Sequence, residues 1–174
     1  MSSNVLYTGK TFTTGGRNGQ SRSDDGRLDI KLTPPGAPGA GTNPEQLFGA
    51  GWSACFIGAM GFAAQSIGVR LPAGTEVHAE IDLGNTAERG YFLQARLNVS
   101  LPGLDRDTVQ AIVDGAHQTC PYSKATRGNI DVAINLIRPL PHTCSRRDTH
   151  APHARQARRH ARPRPRLFRR FRSR

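Results

Sequence analysis

Cysteine is scarce in this chain: Cys55, Cys120 and Cys144 are the only three among 174 residues. They form no CxxC pair and no Cys/His cluster at zinc-ligand spacing, which argues against a metal centre, and three thiols are too few for the disulfide framework of a small secreted domain. A secretory signal is also lacking, because Met1-Ser2-Ser3-Asn4-Val5 opens without a basic segment followed by an apolar one. The chain is therefore expected in the cytoplasm, where thiols stay reduced. No Ser or Cys accompanies His78 or His117 in a hydrolase motif, and no internal repeat is present.

Acidic side chains are nearly absent from one region. Residues 138–174 hold 13 Arg, no Lys and only Asp148, a charge of +12, whereas residues 1–137 carry −1. The formal charge of +11 thus belongs to the tail and says nothing about the part able to fold. The tail repeats Pro, Arg, His and Ala and has few clustered apolar residues, so it cannot offset chain entropy of about 1–2 kcal/mol per residue and is expected to be disordered. The chain divides accordingly into a domain at 1–137 and an Arg/Pro/His-rich tail at 138–174. Cys144, inside that tail, reads as a stray thiol.

Within 1–137 the pattern alternates between strand-like and helix-like periods. Strands are predicted at Val5–Thr13, Arg27–Leu32, Glu76–Leu83, Tyr91–Leu101 and Ile130–Ile137. Leu28, Ile30 and Leu32 alternate with Asp29 and Lys31, and Val77, Ala79, Ile81 and Leu83 alternate with His78, Glu80 and Asp82, as half-buried strands require. The intervening Pro-Pro-Gly-Ala-Pro-Gly-Ala-Gly at 34–41 is loop. A helix then begins with Asn43 as N-cap, Pro44 at the first helical position and Glu45 in the positively polarised first turn. It is apolar on every side to about Ile67, where Gly68 can end it. Leu47–Ala64 has 18 residues without a charge, the minimum for a bilayer span, but four glycines and no basic flank make it a buried core helix instead. A second helix starts at Asp105, with Val109, Ile112, Val113 and Ala116 on one stripe, and breaks near Pro121. The order argues for an α+β domain in which an antiparallel sheet surrounds a long buried central helix.

Cys55 lies on that helix among Phe48, Gly51, Ala59 and Phe62. It is either a small core hydrophobe or a reactive thiol, and the second role requires a fixed cation, since only the thiolate attacks. Arg17, in the turn Gly15-Gly16-Arg17-Asn18-Gly19, is the candidate. Glu45 can orient its guanidinium through a bidentate contact, or can serve only the helix N-terminus. Glu45 and Cys55 are separated by about 15 Å along an unbroken helix. Three arrangements meet that constraint: Arg17 bridges the two, Gly49 and Gly51 bend the helix, or Glu45 acts from a second chain. Cys120 sits at a helix junction, where Pro121 can open a short helix and favour a thiolate at its edge.

Arg17 in its glycine turn, Gly41-Thr42-Asn43-Pro44-Glu45-Gln46-Leu47-Phe48, Ala54-Cys55-Phe56, and Cys120-Pro121-Tyr122-Ser123-Lys124-Ala125-Thr126-Arg127-Gly128-Asn129-Ile130-Asp131-Val132 together resemble the organic hydroperoxide resistance proteins. These are a branch of the family of osmotically inducible protein C, and the Cys120-Pro121-Tyr122-Ser123 context favours this branch over the osmotically inducible one. The similarity runs over residues 4–137.

The resemblance implies an intertwined homodimer with two interfacial sites that reduce alkyl and fatty-acid hydroperoxides to alcohols. By the same resemblance Cys55 is the peroxidatic cysteine, Cys120 the resolving one, Arg17 the thiolate-activating arginine and Glu45 its carboxylate partner. It also implies no bound cofactor, recycling by dihydrolipoyl groups of a lipoylated protein, and no membrane partner. Phe48, Phe56 and Phe62 are candidates for the apolar lining. Relatives of this kind stop shortly after Ile137, and the composition of 138–174 resembles out-of-frame translation of GC-rich coding sequence. The competing reading is nucleic-acid or anionic-surface binding through the tail, which would be steeply salt-dependent and incidental to the enzyme.

Overall fold

The structure is a computed structural model, and it describes residues 4–138; the tail from residue 139, Cys144 and the expected disorder lie outside the described residues. Six strands and three helices follow in the order β1 (Thr11–Thr14), β2 (Gln20–Ser23), β3 (Asp29–Lys31), α1 (Pro44–Ser66), β4 (Glu76–Thr86), β5 (Gly90–Ser100), α2 (Arg106–Thr119), α3 (Pro121–Thr126) and β6 (Asp131–Leu136). The α+β class holds. The single antiparallel sheet expected around the helix does not: there are two three-stranded sheets, β1-β2-β3 and β4-β5-β6.

The first sheet is a small antiparallel meander, with Thr11 opposite Ser23 and Gln20 opposite Lys31. It keeps little of itself from water: β1 is exposed along its length, Phe12 included, as are Val5, Leu6 and Tyr7 ahead of it. The second sheet is mixed. Along its long antiparallel hairpin Glu76 faces Ser100 and Thr86 faces Gly90, while β6 runs parallel to β5, pairing Gln94 with Asp131 and Val99 with Leu136. The parallel strand follows from the connection, since α2 and α3 carry the chain back across the sheet before β6 begins, as a parallel crossover requires.

Local chemistry sets the helix ends. Asn43 Oδ1 accepts from the Gln46 N–H at 2.9 Å with Pro44 next in line, and Asp105 Oδ1 accepts from the Thr108 N–H at 2.9 Å. At the far end of α1, Gly68 takes a left-handed φ of 72° that a side chain would resist. Helix α1 packs against β4 and α2. Trp52, Phe56 and Met60 from α1, Leu97 and Val99 from β5 and Ile112 from α2 are wholly buried. At about 1.5–3 kcal/mol for each large apolar side chain removed from water, this cluster drives the assembly of the domain.

The expectation of a fully enclosed central helix needs correction. Helix α1 buries Gly49, Trp52, Phe56, Ala59, Met60 and Ala64. Its opposite stripe of Ala50, Ala54, Gly58 and Phe62 stays exposed in the single chain, with Phe62 at 75%. By length and composition α1 could cross a membrane, but its Trp52, Phe56 and Met60 are buried in the core.

Candidate active site

Two pairs of side chains, both assembled from distant parts of the sequence, carry the chemistry. The first is a thiol pair. Cys55, midway along α1 and partly buried, and Cys120, wholly buried at the junction of α2 and α3, are both free cysteines. Their sulfurs stand 3.4 Å apart, with the Cys120 S–H donating to Cys55 Sγ. Cys120 is fixed because its N–H closes α2 onto Ala116 O at 2.8 Å, while its carbonyl accepts from the Lys124 N–H of α3 at 3.0 Å. Burial pushes the Cys55 thiol above its ordinary value, and the neighbouring Cys120 adds to this; the Tyr122 N–H, which bonds the sulfur, works in the opposite direction.

The second is an ion pair. Arg17 Nη1 and Nη2 donate to Glu45 Oε2 and Oε1 at 3.0 and 2.7 Å, the planar two-bond fork that guanidinium and carboxylate form best. Arg17 sits in a 3-10 turn, Gly16–Asn18, between β1 and β2. That turn needs its glycines: Gly15 and Gly16 have φ of 71° and 54°, and a Cβ on Gly19 would overlap the Thr14 carbonyl oxygen. Hydrogen bonding to Arg17 holds the Glu45 carboxyl below its usual range, and Glu45 raises the guanidinium in turn.

Within one chain the two pairs do not meet. Arg17 is not among the groups that perturb Cys55, and α1 runs without a break from Pro44 to Ser66. Arg17 bonds the Glu45 of its own chain. About 15 Å of helix separates Glu45 from Cys55.

Beside the ion pair lies a hollow of about 360 Å³ lined by Phe48, Leu83, Tyr91, Phe92 and Leu93. A broader one of about 820 Å³ runs between α1 and β4, past Glu45, Gly49, Ala50 and Ser53. Of the three phenylalanines expected to line an apolar pocket around Cys55, Phe48 lines the hollow beside Arg17, which does not include Cys55, Phe56 belongs to the core and Phe62 points outward. Tyr122 lines neither hollow, but its ring lies 6.1 Å from that of Phe48 and its hydroxyl would touch a Cβ on Gly51. Two residues that do line the first hollow were missed. They are Tyr91 and Phe92, whose signal was an aromatic pair at a strand end. His78 pairs with Glu76 at 2.8 Å on the outer sheet face, and His117 Nδ1 is buried without a partner. Among the described residues no cluster could hold a metal ion.

Comparison with known proteins gives a consistent answer. The family model described as OsmC-like protein matches residues 36–135. An organic hydroperoxide resistance protein of Xanthomonas axonopodis pv. citri is 47% identical over 136 residues, covering 76% of this chain and 95% of that protein. OhrB of Bacillus subtilis, also named for organic hydroperoxide resistance, is 42% identical over 136 residues, covering 76% and 98%. Its crystal structure superimposes with a TM-score of 0.72 over 76% of this chain and all of that one, and a Legionella pneumophila organic hydroperoxide resistance protein, 39% identical, gives 0.72 over 76% and 98%. With two free thiols in contact and these relatives along nearly their whole length, the chain belongs to the OsmC-like family, in its organic hydroperoxide resistance branch.

Proposed function

We propose that the chain is a thiol peroxidase that reduces organic hydroperoxides, with Cys55 as nucleophile and Cys120 as resolving thiol. The observation that carries this reading is the 3.4 Å approach of the two sulfurs. In the first step the Cys55 thiolate forms an S–O bond to the terminal peroxide oxygen as the O–O bond breaks, and the departing alkoxide takes up a proton and leaves as the alcohol. Cys55 is now a sulfenic acid. The Cys120 sulfur then attacks Cys55, the S–O bond breaks, water leaves and a disulfide remains before further oxidation can occur. An external dithiol returns both cysteines to thiols, so each cycle converts one hydroperoxide and one dithiol to an alcohol, water and a disulfide. We take dihydrolipoyl groups of a lipoylated protein as that dithiol, with no bound cofactor, and place the reaction in the cytoplasm, where both thiols stay reduced.

A buried thiol pushed upward is a poor nucleophile at neutral pH, so a cation must reach Cys55. Its own Arg17 is held one end of α1 away. We assign the activating pair to a second copy: the open Ala50, Ala54, Gly58 and Phe62 stripe of α1 is the face on which two chains meet, and the Arg17–Glu45 pair of each serves the Cys55 of the other. The apolar hollow beside Arg17 then accepts the alkyl part of the substrate, favouring it over hydrogen peroxide.

The test is reduction of an alkyl hydroperoxide with dihydrolipoamide by the parent, Cys55→Ser and Cys120→Ser. Cys55→Ser is expected to lose all activity, and Cys120→Ser to consume one equivalent and stop. Retained turnover in Cys55→Ser would sink the assignment. The nucleic-acid reading rests on residues 138–174, beyond the family match; activity kept after their removal separates the two.

A further inference from the structure

Helices α1 and α3 are joined by a buried side-chain bond that the catalytic sequence above leaves unused: Trp52 Nε1–H donates to Ser123 Oγ at 3.3 Å. Both residues are wholly buried. Trp52 lies three residues before Cys55 and Ser123 three after Cys120, close to one helical turn in each case, so this bond and the sulfur–sulfur contact are neighbouring rungs between the same two segments. We propose that Trp52 and Ser123 are positioning residues for the resolving step, setting the first turn of α3 against α1 so that Cys120 faces Cys55 before a peroxide arrives. The inference rests on the thiol-peroxidase reading above.

Three observations converge on it. Helix α3 has only six residues, and Cys120, its N-cap residue, makes no side-chain capping bond, so its placement depends on contacts with its neighbours. In the dry interior neither the indole N–H nor the hydroxyl can exchange its partner for water, which makes the bond selective for one arrangement of the two segments. The Tyr122 N–H bond to Cys55 and the Phe48–Tyr122 ring contact lie on the same stretch, which places Ser123 in the segment that faces the sulfur. Disulfide formation must shorten 3.4 Å to about 2.05 Å, which leaves little room for misalignment.

The experiment separates the two chemical steps by rapid quench and mass spectrometry of the full-length protein with a single equivalent of alkyl hydroperoxide. Peroxide attack is read from its dependence on peroxide concentration, disulfide formation from the peroxide-independent loss of sulfenic acid. Ser123→Ala, which removes the acceptor, and Trp52→Phe, which keeps an aromatic ring but removes the donor, are expected to change the first step by less than about twofold and to slow the second about tenfold or more. Sulfinic acid on Cys55 should rise with excess peroxide. Ser123→Thr, which keeps the hydroxyl, is expected to restore the parent rate.

Disulfide formation at the parent rate in both Ser123→Ala and Trp52→Phe would overturn the inference. So would Ser123→Thr as slow as Ser123→Ala, or both steps slowed in proportion to a lowered Tm. If the parent itself forms no Cys55–Cys120 disulfide, the reading beneath the inference fails and the inference with it; if the parent forms it and the variants match, only the inference fails.

Discussion

Glu45 and Cys55 occupy the same unbroken helix, yet the carboxylate near its start grips an arginine and the sulfur at its middle has none. In one chain the proposed nucleophile and its proposed activator are both formed and kept apart. The proposed dimer resolves this by exchange between two equal copies, and it makes distinctive demands on mixed assemblies.

Heterodimers of an Arg17→Ala chain with a Cys55→Ser chain are expected to show about half the parent activity, since the intact Cys55 of one chain meets the intact Arg17 of the other. Each homodimer should be nearly inactive. Co-expression with two affinity tags and a hydroperoxide assay measures this, and an inactive heterodimer would mean that Arg17 serves its own chain.

Phe62→Asp places a charge on the open stripe of α1, where the parent shows 75% of that side chain. Sedimentation should show monomers for this variant and dimers for the parent, with activity lost by about tenfold or more at micromolar concentration and little change in helix content.

The pH dependence of the first step follows from the sign of the Cys55 shift. With the guanidinium removed in Arg17→Ala, the thiol keeps the raised value set by burial, so the rate of peroxide attack should climb with pH through and beyond the ordinary cysteine range. The parent should level off at lower pH. Stopped-flow rates between neutral and alkaline pH distinguish the two.

His117 gives a separate acid response. Burial, aided by the Arg127 cation, lowers its imidazole, and its Nδ1 is buried without a partner. A lowered folded value means stability is complete above the free imidazole value and declines as pH falls from there to the folded one. His117→Gln should flatten that part of the Tm-against-pH curve.

Gly19→Ala forces a Cβ into the Thr14 carbonyl. The variant should cost about 1–3 kcal/mol if the turn persists, or release Arg17 if it does not. Urea denaturation reads the first outcome. The second appears as a peroxide step slowed as far as in Arg17→Ala.

Much of this architecture was legible in the sequence because it is written in short-range chemistry. Asn43-Pro44-Glu45 and Asp105 marked helix starts to within a residue, and the alternation of Val77 to Leu83 marked β4, where Val77, Ala79 and Ile81 pack against the core while Leu83 stays exposed. Strand β2 was missed because Gln20-Ser21-Arg22-Ser23 has no apolar alternation; its extended form comes from pairing on both sides. Residues 5–10 looked strand-like but form no strand here, and all of them are exposed. The resemblance drew attention to the four site residues, and the structure joins them as two pairs, Arg17 with Glu45 and Cys55 with Cys120. Helix spacing alone had set Glu45 and Cys55 apart. Local spacing could not reveal that the guanidinium and the sulfur would also remain apart, because that depends on how the β1–β2 turn sits against the start of α1.

Trp52 is the sole tryptophan of the chain, and it sits one turn from Cys55 with its ring nitrogen tied to the segment that bears the second thiol. Sulfur in its thiolate and disulfide forms quenches indole emission to different degrees at short range. The protein therefore carries an intrinsic optical gauge of its own oxidation, able to follow a catalytic cycle in real time without any attached dye.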